Sequence, residues 1–354
     1  MVGGRVLRAH LRGARGPSPG AVPVRDRRLW LDVALGGLFV AGAFGFGVWA
    51  EEANPYRLAQ ARTVLLYAVL ALSWDLLART GQLSLAHAAF HGLGAYTSVL
   101  VVRATGLEPA LGVVLGGLAS AAVAIPLGWV TLRLHGIYFA IATLAFSEVL
   151  RIAANQIPWA GGATGLVTVP LFGGRTVLQY LFLLGVLAAL MALSRALQAS
   201  RWAYAFAAVR TNEAVARALG VPVVGCKVAA FAVSAFFAGL SGATYAHAFL
   251  FINPLESFHL GISVAALVAP IFGGLYSTAG PVLGAVLLRG GEDLLRERLG
   301  AGYPLLYGLI LAAAILFLPR GLVGACQGWS LRRPLARPAG RAARRAVAEG
   351  TEEA

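Results

Sequence analysis

Apolar residues dominate long stretches of the chain without the alternation of a half-buried strand. The stretches run at 30–49, 61–78, 84–102, 110–132, 136–153, 176–194, 226–249, 258–289 and 303–319. A helix needs about 20 mostly apolar residues to cross a hydrocarbon core about 30 Å thick, and most of these segments are close to that length. Connections between them are short except at 154–175 and 195–225. Glycine recurs inside the segments, as at Gly36, Gly37, Gly92, Gly94, Gly112, Gly116 and Gly117. Small residues let helices approach closely in lipid, where apolar side chains gain little by leaving the acyl tails. The pattern predicts an all-α, polytopic transmembrane bundle of about 8–10 spans that includes short broken helices.

Composition removes the alternatives. Of 354 residues, 58% are hydrophobic and 12% are charged. A soluble domain carries about 25% charged residues, and a single water-soluble core could not hide this much apolar surface. The net charge of +14 is concentrated at the two ends. Residues 1–29 form a basic N-terminal segment, residues 30–325 the membrane domain, and residues 326–354 a basic tail expected to be disordered. No helix-turn-helix, zinc or aromatic-basic pattern accompanies the charge, so nucleic acid is not an expected partner. Anionic lipid headgroups are. The apolar stretch from Leu29 to Ala50 is longer than a signal-peptide core of about 7–15 residues, and it reads as a retained first span. Cys226 and Cys326 lack metal-ligand spacing and are expected on the reducing side.

Arginine placement sets the orientation. The N-terminus, the 195–225 loop and the tail from Arg320 should all be cytoplasmic. Six spans precede that loop, and 226–249 then crosses outward. Segment 258–289 must therefore enter and leave on one side, although residues 257–288 carry no Asp, Glu, Lys or Arg. The run 270–281 (PIFGGLYSTAGP) breaks it in the middle. Irregular backbone at membrane depth survives only where protein buries it or water lines it. The break, with Gly273 and Gly274, is thus either a border of a translocation path or a plain hinge between two short helices.

The 195–225 loop contains a two-turn helix signal. Thr211 or Asn212 can cap it, Glu213 suits the first turn, and Glu213 and Arg217 stand four apart in the favourable order. Gly220 fits the position just past the helix end and Pro222 blocks continuation. Such a helix, about 10 Å long, is not stable alone. It must dock through Ala214, Val215, Ala218 and Leu219, on this protein's own inner face or on a separate subunit.

The chain resembles the LivM-type permease subunits of branched-chain amino-acid ABC importers over residues 60–325, in five blocks. Residues 72–97 include GQLSLAHAAFHGLGAYT, which is similar to the family's GQLSLGHAAFFGIGAYT. Residues 134–148 (LHGIYFAIATLAFSE) and 161–166 (GGATGL) follow. The fourth block runs from Arg210 to Gly220, then through Lys227 to Ser241, Gly242, Ala243, Tyr245 and His247. The fifth is 273–285 (GGLYSTAGPVLGA). The resemblance implies a multi-pass protein of the cytoplasmic membrane, and the arginine placement puts both termini inside. The resemblance further implies a complex with a paralogous permease, two ABC ATPase subunits and an extracytoplasmic solute-binding protein.

The helix at 213–219 would dock into an ATPase groove, with Arg210, Glu213, Arg217, Leu219 and Gly220 as the coupling residues. No cofactor is expected in this chain: its single lysine, Lys227, is not part of a phosphate-binding loop, and ATP would bind the partner subunits. The chain departs from the family at Ala265, where relatives often carry an acid, and at Pro270, Tyr276, Thr278 and His91. These positions bear on which solute is carried. Branched-chain amino acids are the expected solute, with urea or short amides the alternative within the superfamily.

Polar groups in Gly-rich spans tend to face a cavity, which makes Gln82, Ser84, His87 and Tyr96 candidates for the path. His87 and His91 are four apart, a spacing open to metal, but without a neighbouring carboxylate or thiol a buried hydrogen-bonded pair is the simpler expectation. Asp75 with Arg79, and Glu148 with Arg151, read as mutually neutralised pairs or as functional intramembrane charges. No nucleophile or acid–base constellation stands out, so no enzyme activity is expected. The different-class rival, an ion-coupled carrier, would call for an acid deep in a span and no docking helix.

Overall fold

The computed structural model describes residues 24–134, 136–317 and 321–323; the basic ends and Cys326 lie outside them. Among the described residues the protein is a helical bundle whose strands amount to one two-residue pair. Its helices are α1 (Val24–Ala53), α2 (Pro55–Ala78), α3 (His87–Thr105), α4 (Pro109–Thr131), α5 (Ile137–Gln156) and α6 (Thr176–Ala199). Two short helices follow, α7 (Arg201–Thr211) and α8 (Glu213–Ala218), then α9 (Val223–Phe249), α10 (Pro254–Ser257), α11 (Leu260–Gly273), α12 (Ala279–Leu299) and α13 (Tyr303–Phe317). Among the described residues six helical stretches are long and apolar enough to cross a membrane, with α10 and α11 counted together. It is a multi-pass membrane protein.

Local chemistry sets the helix ends. Prolines at 55, 109 and 254 sit in first turns, where the missing N–H is not needed. Asn54 and Asn253 cap from the preceding position. The centre is small-residue packing. A Cβ on Gly94 of α3 would overlap the backbone of Gly239 in α9, and one on Gly116 of α4 would overlap the Gly94 carbonyl. These three helices therefore meet backbone to backbone, where dispersion contacts are densest. Around the seam, Phe90, Phe139 and Phe231 stack edge to face at ring distances of 5.2 and 6.0 Å. The outward faces of α4 and α5 are apolar and exposed, including Leu118, Trp129, Ile137, Tyr138 and Val149, as a lipid-facing surface requires.

Two segments differ from the sequence expectation. The helix expected from residue 84 begins only at His87, and residues 81–86 run as extended and turn backbone into the bundle. The interrupted 258–289 run does enter and leave on one side as two helices, as expected, but its turn lies at one end of the bundle and not midway through it. It comprises α11 and the first half of α12, two antiparallel helices that pack on each other. Their turn, 274–278, lies against the last turns of α2 and α6, at the same end of the bundle as α7 and α8. The charge-free window misled because α12 continues for ten residues past Arg289, through Glu292, Asp293, Arg296, Glu297 and Arg298. At the opposite end, Leu166–Val167 pair antiparallel with Phe251–Ile252, with Leu166 facing Ile252 in register. The Gly161–Gly165 loop supplies the left-handed backbone that this corner needs.

Candidate functional site

Three constructions in the bundle carry polar chemistry. The first is the segment around Ser84. Irregular backbone inside a membrane domain must find partners within the protein, and here side chains from three helices provide them. Trp74 Nε1 donates to the Ser84 carbonyl at 2.8 Å. The Leu85 N–H donates to Thr143 Oγ1 at 3.0 Å. Ser263 Oγ donates to the Leu85 carbonyl at 2.7 Å and accepts from the Ala88 N–H at 2.8 Å. Ser84 Oγ itself accepts from the Ala86 N–H at 3.1 Å. All four of Gln82, Ser84, His87 and Tyr96 are buried, but they are not brought to one point: Tyr96 lies nine residues beyond His87 on α3, packed on Phe258. His87 Nε2 lies 3.0 Å from Ser234 Oγ. Gln82 Oε1, His87 Nδ1 and the Tyr96 hydroxyl have no hydrogen-bond partner among the described residues. His91 Nδ1 lies 3.1 Å from the Ser257 carbonyl and donates to it. The histidine pair does not converge, and no cluster of three metal-ligating residues occurs among the described residues.

The second construction is the end carrying α7 and α8. Asn212 is the cap: its Oδ1 accepts from the N–H groups of Ala214 and Val215 at 3.0 and 3.2 Å. Gly220 adopts φ +80° and closes the helix, with Val221 donating to Ala216 and Gly220 to Arg217. The buried Lys227 of α9 pairs with Glu213 and fixes α8 to the bundle. Of the expected docking strip, none is turned inward. Ala216 alone in α8 is buried, while Val215 is 54% and Leu219 75% exposed.

Beside α8 sits the α11–α12 turn. Its Tyr276 holds φ +63°, costly for a non-glycine residue. Its N–H donates to Asp75 Oδ1 at 2.6 Å. Arg79 Nε donates to Asp75 Oδ2 at 2.9 Å, and its other nitrogens reach Ser194 Oγ and the carbonyls of Ser194 and Ser277. The Arg210 guanidinium, from α7, lies 3.9 Å above the Tyr276 ring. Asp75 and Arg79 thus form the neutralised pair read from the sequence, and they also hold this turn. Gly273 belongs to the turn's packing, since a Cβ there would overlap the Gly280 carbonyl, and Gly274 adopts φ +126°. Glu148 and Arg151 pair on the exposed face of α5.

The third construction is a cavity of about 460 Å³ among α2, α9, α11, α12 and α13. Its wall is apolar at Leu66, Leu70, Ile262 and Leu288 and polar at Tyr67, Tyr245, Arg289 and Glu292. His91 also lines it, its ring 5.4 Å from that of Tyr245, and so does Ala265. Two positions that depart from the family pattern therefore face this space. Gln82, Ser84, His87, Tyr96, Gly273 and Gly274 are not among its lining residues. Arg289 and Glu292 were missed in the sequence because RGGED reads as the polar flank of a span. The signal available was the i, i+3 spacing of opposite charges on a helix.

Residues 56–319 match the family described as branched-chain amino acid transport system / permease component. The chain is 31% identical over 295 residues to the high-affinity branched-chain amino acid transport system permease protein LivM of Salmonella typhimurium, covering 74% of this chain and 69% of that protein. The identity to LivM of Escherichia coli is 30% over 295 residues, with the same coverage. A second relative, the permease protein LivH of Salmonella typhimurium, is 22% identical over 285 residues, covering 73% of this chain and 91% of that protein. No solved structure gives a significant match.

Proposed function

The chain belongs to the family of permease components of branched-chain amino acid transport systems, and from that premise we propose how it works. It carries leucine, isoleucine and valine inward across the cytoplasmic membrane, beside a paralogous permease, with energy from two separate ATPase subunits and substrate delivered by an extracytoplasmic binding protein. Similarity to both LivM and LivH supports the paired arrangement. The Arg-rich end bearing α7 and α8 is the cytoplasmic one, with both termini on that side. ATP and its cofactors bind the partners and not this chain.

The observation that carries the coupling is the outward-facing strip of α8. An apolar strip on so short a helix, capped at both ends and tethered by Lys227, offers Val215 and Leu219 to a partner groove. Arg210, Glu213, Arg217 and Gly220 position that strip. Motion of the strip reaches the bundle through Arg210 on Tyr276, and from there Asp75 and Arg79. The α11–α12 turn then shifts against α2 and α6, and the bundle re-packs between outward and inward openings.

Leu219→Glu tests this without touching the fold, because Leu219 is exposed. Leucine uptake by proteoliposomes holding the whole complex should be lost, and the ATPase subunits should co-purify poorly. Full uptake by that variant would refute the docking role. Glu213 is the poorer probe, since replacing it strands the buried Lys227.

A further inference from the structure

We propose that Arg289 and Glu292 read the two poles of a zwitterionic amino acid inside the 460 Å³ cavity, with its side chain against Leu66, Leu70 and Ile262. The inference rests on the function proposed above and assigns the substrate contacts within it. An amino acid carries its carboxylate and ammonium on one carbon, so a site that recognises both needs opposite charges side by side. Arg289 and Glu292, one helical turn apart, supply that: Arg289 Nη1 lies 2.6 Å from Glu292 Oε2. The guanidinium is held at 4.8 Å over the Tyr67 ring, and its buried Nε has no hydrogen-bond partner among the described residues. A carboxylate accepts well from such a fork edge.

Arg289 also lines a second cavity of about 400 Å³ with Asp293, Arg296 and Glu297, so a charged track leads along α12 to the site. The volume falls in the range of small-molecule sites, about 300–1,000 Å³. The substrate must compete with the internal Arg289–Glu292 pair. Binding is weak for that reason, as release to the next side requires. Glu256 also lines the cavity, so one guanidinium and two carboxylates face the ligand, and an ammonium and a carboxylate on one carbon both find opposite charge there.

The test measures ligand binding directly, on the assembled permease–ATPase complex in lipid nanodiscs without binding protein. Saturation-transfer NMR of millimolar leucine should give a signal that Arg289→Gln and Glu292→Gln each weaken by about tenfold or more, the range of a charged hydrogen bond. Leucinamide, which lacks the carboxylate, and 4-methylpentanoate, which lacks the ammonium, should compete poorly. Ala265→Phe narrows the cavity and leaves the charge pair alone; it should remove the leucine signal and spare that of alanine. Should the charge variants fail to assemble, as judged by gel filtration, the two analogues on the wild-type complex and the Ala265→Phe result decide. The site is overturned by undiminished leucine binding in assembled Arg289→Gln, by leucinamide competing as well as leucine, or by unchanged leucine binding in Ala265→Phe. Wild-type uptake of leucine with no binding signal also overturns it, while leaving the proposed function intact. Absence of leucine uptake by the wild-type complex overturns that function instead.

Discussion

Among the described residues two arginine–carboxylate pairs lie within the bundle, and their surroundings are opposite. At the α7–α8 end, Asp75 is fully buried, both its oxygens are engaged, and Arg79 spreads its hydrogen bonds over α2, α6 and the α11–α12 turn. Ser194 and Thr278 continue that network at 2.8 Å. Halfway along α12, Arg289 and Glu292 keep about a quarter and a fifth of their side-chain surface open and face a cavity. The same chemistry therefore serves two ends. A pair whose valences are all satisfied by protein is a fastener, and removing one member leaves an uncompensated charge. A pair with an unused donor edge beside empty space can accept a ligand.

The difference is open to measurement. Arg79→Ala should have the largest effect, since breaking a buried pair costs about 3–5 kcal/mol. Thermal unfolding of the purified complex should show Tm falling steeply, and Arg289→Gln should lower it far less. Equal losses would erase the distinction between the two pairs.

Ser263→Ala removes both the acceptor of the Ala88 N–H and the donor to the Leu85 carbonyl. It should cost about 1–3 kcal/mol by stranding buried backbone groups, again read as Tm. A smaller and more telling change is Tyr276→Gly. Relief of the positive φ recovers about 1–2 kcal/mol, and loss of the Arg210 contact removes a comparable amount, about 0.5–2 kcal/mol. Stability should hardly move, whereas leucine uptake per ATP hydrolysed should fall if the turn passes motion inward.

Much of the fold was legible before any coordinates. Apolar segment length gave the helices, and proline and glycine gave most of their ends. The α8 helix was readable almost to the residue, through Asn212, Glu213, Gly220 and Pro222, because capping acts over three or four positions. The candidate site was less legible. Ser84 reads from the sequence only as a polar group in a Gly-rich span, and that its hydroxyl and carbonyl hold the backbone of the 81–86 segment shows only in the structure. The pairing of Glu213 with Lys227 spans 14 residues and leaves no mark in a helical period.

The sequence alone determined the class of this protein. Its apolar surplus has no resting place except lipid, and its short-range turn and cap chemistry cuts that surplus into helices. Tertiary structure decided where the pieces meet. It set the α11–α12 turn beside Arg210 and not at mid-membrane, and it brought Tyr67 of α2 to Arg289 of α12 around one cavity. The physical reason is range. Caps and periodicity are fixed by neighbours a few residues apart, whereas a cavity is defined by helices more than two hundred residues apart, whose approach depends on the packing of every small residue between them.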